Sequence, residues 1–371
     1  MGKSYNMKGN ILANINSILE AVGSRPYNIE KLTTNDLLRL SNYSIGIDIL
    51  IKNLQPHERN TESGRSIYFS LDITNAPNNI LYRASSDKHI AAFLFTPGER
   101  VSQGTQNIYN RLISDVLPSW KDIPKRSNSV VCANDYNVAE DYIEYSTRES
   151  GIIYIVLPPN NAKLVVSPRD DVWYAFQYMK AKTDIPSLKN FNSSMLNFLA
   201  FIDNFINNEN LAHKIKEKSP DVHELMEKIK MMLYANRDKY SRMFLNGDIS
   251  TILNTFKAID TLLSDKKVIN GLIYACKTYY LEEPLTGIGG YILRQKMAFN
   301  APVIDILDDL FNPRANGFEV ISYSTFAKKD YIRREVWTED PCIFIDLENR
   351  KFLTELYKKY MNANKKEIQH E

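Results

Sequence analysis

The apolar pattern of this chain changes period twice, and that double switch constrains its fold more than any other feature. From residue 67 to 170 the apolar segments are short and strand-like: "IYFSLDI", "NNILYRASS", "NSVVCA", "GIIYIVL" and "AKLVVSP". Helical spacing then takes over. "SSMLNFLAFIDNFINN", "DVHELMEKIKMMLYANRDKYSRMFL", "DISTILNTFKAIDTLLSD" and "KKVINGLIYACKTYYL" place apolar residues at i, i+3, i+4 and i+7, several behind an Asp or Ser cap. Strand-like sequence resumes at "GFEVISYSTF" and "REVWTEDPCIFIDL". The strands on either side of the helical block are too few for two independent sheets, and long insertions at loops cost little. The expected class is therefore α+β, one sheet with a helical excursion.

The expected boundaries follow from the same switches. Residues 1–65 form an N-terminal helical segment, with one helix near 11–23 and another over "TTNDLLRLSNYSIGIDILIKNL". The polar stretch "QPHERNTESGRS" reads as a linker or exposed loop. The β core takes 66–170 and 311–350, the helical insertion 171–310, and a charged C-terminal helix 351–371.

Composition excludes several functions. Among 371 residues, 46 basic and 44 acidic side chains nearly cancel, so a net charge of +2 gives no strong nucleic-acid signal. No apolar run reaches the roughly 18–20 residues of a membrane span, and "MGKSYNMKGN" has no signal-peptide core. A soluble chain with no membrane partner is expected. Cys132, Cys276 and Cys342 stand apart in apolar contexts and read as buried free thiols. The five histidines show no metal-ligand spacing with them, so no metal is expected. "TGIGGY" follows no strand pattern and reads as a turn between helices rather than a phosphate loop.

Three polar features stand at strand ends in a definite order: Arg83 in "NNILYR", Ser127 and Ser129 in "SNSVV", and Glu335 in "EVW". Between the second and third lie "NVAEDY", a helix with Ala139 on its inner face, and "IYIVLPPNNAKLVV". This ordered set resembles the arginine–serine–glutamate class of mono-ADP-ribosyltransferases. The resemblance covers about 66–170 and 311–350. It implies a split β core and NAD as substrate, with Arg83, Ala84, Ser127 and Ser129 around the dinucleotide. Arg83, Ser127 and Glu335 would be the catalytic set, on one cleft, acting on a protein acceptor. Such roles suit the side chains. A guanidinium grips phosphate oxygens, and a carboxylate against the ribose 2′-hydroxyl stabilises the cation that forms as nicotinamide leaves. Tyr82, Trp173 and Trp337 are each suited to stack on a ring of the dinucleotide.

The resemblance leaves three matters open. Transferases that modify arginine carry Glu or Gln two residues before the catalytic glutamate, and this chain has Arg333 there, so the acceptor residue is undetermined. Glu319 in "ANGFEVISY" is the alternative glutamate. The pattern also resembles transferase-like proteins of large tailed bacteriophages, which implies action in the host cytoplasm or packaging in a virion. A non-catalytic structural or interaction protein that keeps the fold, such as a virion component, is the rival expectation.

Overall fold

The computed structural model describes residues 28–61, 64–85, 90–99, 108–146, 151–206, 213–214, 217, 236–278 and 285–368. The helix expected near 11–23 lies outside them. Two compact units are present. The first joins residues 1–101, 123–171 and 318–371, and the second joins 102–122 and 172–317. The described segment 108–122, expected in the β core, thus packs with the helical block, and the C-terminal helix packs with the sheet.

In the first unit eleven strands are described: β1 (Asn28–Lys31), β2 (Leu54–Thr61), β3 (Gly64–Leu71), β4 (Leu81–Ser85), β5 (Ala92–Thr96), β6 (Val130–Ala133), β7 (Ile152–Leu157), β8 (Lys163–Val166), β9 (Glu319–Ser322), β10 (Glu335–Thr338) and β11 (Cys342–Asp346). Nine form an antiparallel sheet in the order β1-β5-β11-β7-β4-β6-β10-β8-β9. Strands from before and after the helical block therefore share one sheet. β2 and β3 pair only with each other, so "IYFSLDI" lies outside that sheet. The stretch expected as a linker or exposed loop holds the start of β3 and most of β2. The pairing of β2 to β3 is set by backbone hydrogen bonds that polar side chains do not disturb.

The sheet is narrowly joined at its centre. β4 pairs with β7 over five residues but with β6 only at Tyr82↔Ala133. Everything from β1 to β4 hangs on one side of that junction, and β6 to β9 on the other. The connections β6 to β7 and β10 to β11 both cross it.

β7 buries both faces, which is why "IIYIVL" is apolar throughout. Ile153, Ile155 and Leu157 face one core with Tyr82, Ile343 and Ile345. The helices over that face are α1 (Thr34–Arg39), α2 (Ser44–Asn53), α3 (Tyr136–Ser146) and α4 (Arg350–Ile368), which contribute Leu37, Leu50, Ala139 and Leu353. Tyr154 and Val156 face the opposite core with Leu81, Cys132, Leu164, Val336 and Phe344. Asn160, in the "PPNNAK" turn, ties α2 to the sheet. Its Oδ1 accepts from Ile45 N at 3.0 Å and its Nδ2 donates to Ser44 Oγ at 3.0 Å.

The second unit is helical. Its helices include Gln177–Thr183, Leu188–Ile206, Ile249–Leu262, Lys266–Thr278, Gly287–Phe299 and Val303–Leu310. Lys296 is 2% exposed and meets Asp260 at 2.5 Å, and the same carboxylate accepts from Val303 N at 2.9 Å. Removing the cation leaves a largely enclosed charge without its partner. Lys296→Met is therefore expected to lower the stability of this unit by about 3 kcal/mol, read as a shift of its urea midpoint. A shift below about 1 kcal/mol, the worth of an exposed pair, would show that the pair is a surface feature.

All three cysteines are buried and none forms a disulfide, and burial pushes the Cys276 thiol up to about 12. Among the described residues no group of three or more His, Cys, Asp or Glu assembles a metal site. No helix among them is long and apolar enough to cross a membrane.

Candidate functional site

Where β4 and β6 part, a cleft of about 270 Å³ opens. Tyr82, Arg83 and Ala84 line one side and Val131, Cys132 and Ala133 the other, with Ala139 and Tyr142 of α3 above. Arg126 completes the lining. The cleft exists because the ladder stops after one residue pair.

Arg83 would ordinarily leave its strand on the Leu81 side, opposite Tyr82. The gap lets its guanidinium turn inward, and Nη1 donates to Val131 O at 3.1 Å. Among the described residues Arg83 has no carboxylate in ion-pair contact, so a cationic fork faces the cleft with only a carbonyl to satisfy it.

Glu335 begins β10 and is 1% exposed. The register Tyr82↔Ala133↔Glu335 puts it on the α3 face, two strands from β4. Its carboxylate accepts from Arg126 Nε at 2.7 Å, from Arg126 Nη2 at 3.2 Å and from the Tyr142 hydroxyl at 3.2 Å. Such two-pronged guanidinium contact fixes the carboxylate in orientation as well as charge. Burial, and then the Glu335 charge, push the Tyr142 phenol well above its ordinary range. The phenol thus stays protonated and donates.

Expected and observed places differ for the serines. Ser127 lies in a 3₁₀ turn, Arg126–Asn128, and its nearest polar contact is Asn128 Oδ1 at 3.5 Å. Ser129 is buried and donates to Lys125 O at 2.7 Å, while Asn128 N donates to the same carbonyl at 2.9 Å. Neither serine lines the cleft. Ser129 closes the turn that presents Arg126, and Ser127 lies within it. Arg83 and Ala84 do line the cleft, and Glu335 sits behind it, joined to it through Arg126 and Tyr142.

Glu319 lies on β9, four strands from β4. It is engaged by Lys329 Nζ at 2.6 Å and Tyr331 at 2.9 Å, and the Lys329 contact holds its carboxyl below the usual range. Of the two glutamates, Glu335 is the one joined to the cleft, through Arg126 and Tyr142. Arg333 has φ +48° and pairs with Asp170 at 3.3 Å, half exposed. Trp337 donates its indole N–H to Pro124 O at 2.9 Å and is buried, and Trp173 belongs to the second unit. Of the three aromatic candidates only Tyr82 lines the cleft, and its hydroxyl is buried without a hydrogen-bond partner.

Three residues escape the sequence reading. Arg126 directly precedes the first serine, and Tyr142 follows Ala139 by three positions on the same helix face, which is the signal that would have found them. Asn134 directly follows β6 and is 2% exposed. Its Nδ2 donates to Asn78 O at 2.8 Å and Tyr331 O at 2.6 Å, and its Oδ1 accepts from Arg334 N at 2.6 Å. It clamps the approach to β4 and the residue before Glu335 to one point.

Comparison with protein-family models, with curated proteins and with solved structures gives no match to this chain.

Proposed function

We propose that the first unit is an NAD-dependent mono-ADP-ribosyltransferase acting on a protein acceptor. The observation that carries the reading is the cleft itself. An arginine strand and the strand after the serines are neighbours that part after one pair, and the glutamate strand lies next to them. This parting supports a reading of the sheet as the split core that the resemblance implies. Arg83 and Arg126 supply two guanidinium groups for a pyrophosphate, and Tyr82 supplies a ring for stacking. Glu335, held by Arg126, then faces the ribose. As the bond from ribose C1′ to the nicotinamide nitrogen lengthens, its electron pair leaves with nicotinamide, and the ribose cation gains the Glu335 charge as a partner. The acceptor's nucleophile then bonds to C1′ and releases its proton. For that step the ribose 2′-hydroxyl replaces the Tyr142 hydroxyl on the carboxylate. The wider resemblance adds a phage setting, in which the acceptor is a host protein.

A second reading, a non-catalytic interaction protein, is favoured by one observation. All three donors on Glu335 come from the chain itself, and the carboxylate does not line the cleft. Calorimetry with NAD separates the two. Wild-type protein is expected to bind NAD, and Arg83→Ala to weaken binding about tenfold or more, as loss of a charge-assisted contact of 1.5–3 kcal/mol would. Absence of binding by the wild type would favour the second reading, and equal binding by the variant would remove Arg83 from the site.

A further inference from the structure

A second groove in the first unit, about 470 Å³, lies between the β2–β3 hairpin and the outer side of α4. Arg59, Tyr68, Arg350, Lys351, Glu355 and Lys358 are among its lining residues. The helix carries six basic and two acidic residues, so the local charge is far from the near-neutral whole. The groove's carboxylate, Glu355, is already engaged. It accepts from Lys359 at 2.7 Å and Thr34 at 2.7 Å, and Lys359 chiefly holds its carboxyl below the usual range. Among the described residues no carboxylate is in ion-pair contact with Arg59, Lys351 or Lys358. Lys351 and Lys358 lie two helical turns apart, about 10 Å along the axis.

Flat groups stand beside these cations. The Arg350 guanidinium sits 4.9 Å from the Tyr68 ring centre, and His57 stacks on the same tyrosine at 5.3 Å and 20°. His57 is exposed. An acidic peptide would satisfy the cations but has no use for the stack. A nucleic-acid strand uses both, phosphates on the cations and bases on the flat groups.

We propose that this groove binds a short single-stranded nucleic acid, with Arg59, Lys351 and Lys358 on phosphates and the Arg350–Tyr68–His57 stack beneath bases. The proposal does not depend on the transferase reading. Fluorescence anisotropy with a labelled oligothymidine of roughly twelve nucleotides tests it. Wild-type affinity is expected to fall with salt at a logarithmic slope of about −2, the value for three phosphate contacts on a single strand. Arg59→Ala, Lys351→Ala and Lys358→Ala combined should flatten the slope and weaken binding at least tenfold. Tyr68→Ala should weaken it by about tenfold with the slope kept, since stacking carries no charge. Lys180→Ala with Lys257→Ala, exposed lysines of the other unit, should change nothing. No binding at low salt, binding indifferent to the triple variant, or equal displacement by polyglutamate would each overturn the proposal.

Discussion

Glutamine in place of Glu335 is expected to lower ADP-ribose transfer by a hundred- to a thousandfold while NAD affinity changes little. The carboxylate charge matters most when the ribose is cationic, so its removal acts on the transition state, at about 3–4 kcal/mol. Glutamine keeps the length of the side chain and an acceptor oxygen for Tyr142, but it cannot neutralise Arg126. The variant will therefore be somewhat less stable, and its rate must be compared below its own unfolding temperature. A matched loss in turnover and in turnover over KM would place the effect in the chemical step. A variant that transfers at the wild-type rate would take Glu335 out of the mechanism.

The second large effect is expected at Asn134. Asn134→Ala leaves the carbonyls of Asn78 and Tyr331 and the N–H of Arg334 without their side-chain partner inside the sheet unit. Each such loss costs about 1–3 kcal/mol, carbonyls at the low end, so about 3 kcal/mol in unfolding free energy is expected. Arg334 immediately precedes Glu335, and its guanidinium also donates to Pro168 O. Loosening Asn134 should thus disturb the carboxylate as well as the fold. Urea unfolding of the variant reads the first effect and transfer activity reads the second. A loss under about 1 kcal/mol would show that the clamp is replaceable by water.

The elements most legible in the sequence were those whose pattern reports burial directly. β4, β6, β7, β8, β10 and β11 were each visible as short apolar runs, and the helical block by its 3.6-residue spacing. β1 gives no such signal, because "NIEK" has one apolar residue and is an edge strand held by pairing to β5. β2 was hidden for a similar reason. Its side chains are polar, and only its pairing to β3 makes it a strand. At the site, Arg83 and Glu335 could be named because their strands were visible. The register that brings Glu335 level with Tyr82 depends on pairing across some two hundred residues of chain, which no local pattern encodes. The role of Arg126 was hidden in the same way. Its meaning comes from a carboxylate on a strand distant in sequence, whereas the serines beside it drew attention and Ser129 serves the turn.

The central claim is that the cleft between β4 and β6 holds NAD and that Glu335 acts on its ribose. Incubating the wild-type protein with adenylate-labelled NAD and a cell lysate, and following label in protein together with free nicotinamide, tests it most directly. The account predicts label in protein and release of one nicotinamide for each ADP-ribose transferred, both lost in Glu335→Gln. Neither label nor nicotinamide from wild-type protein, or undiminished label from the variant, would contradict it.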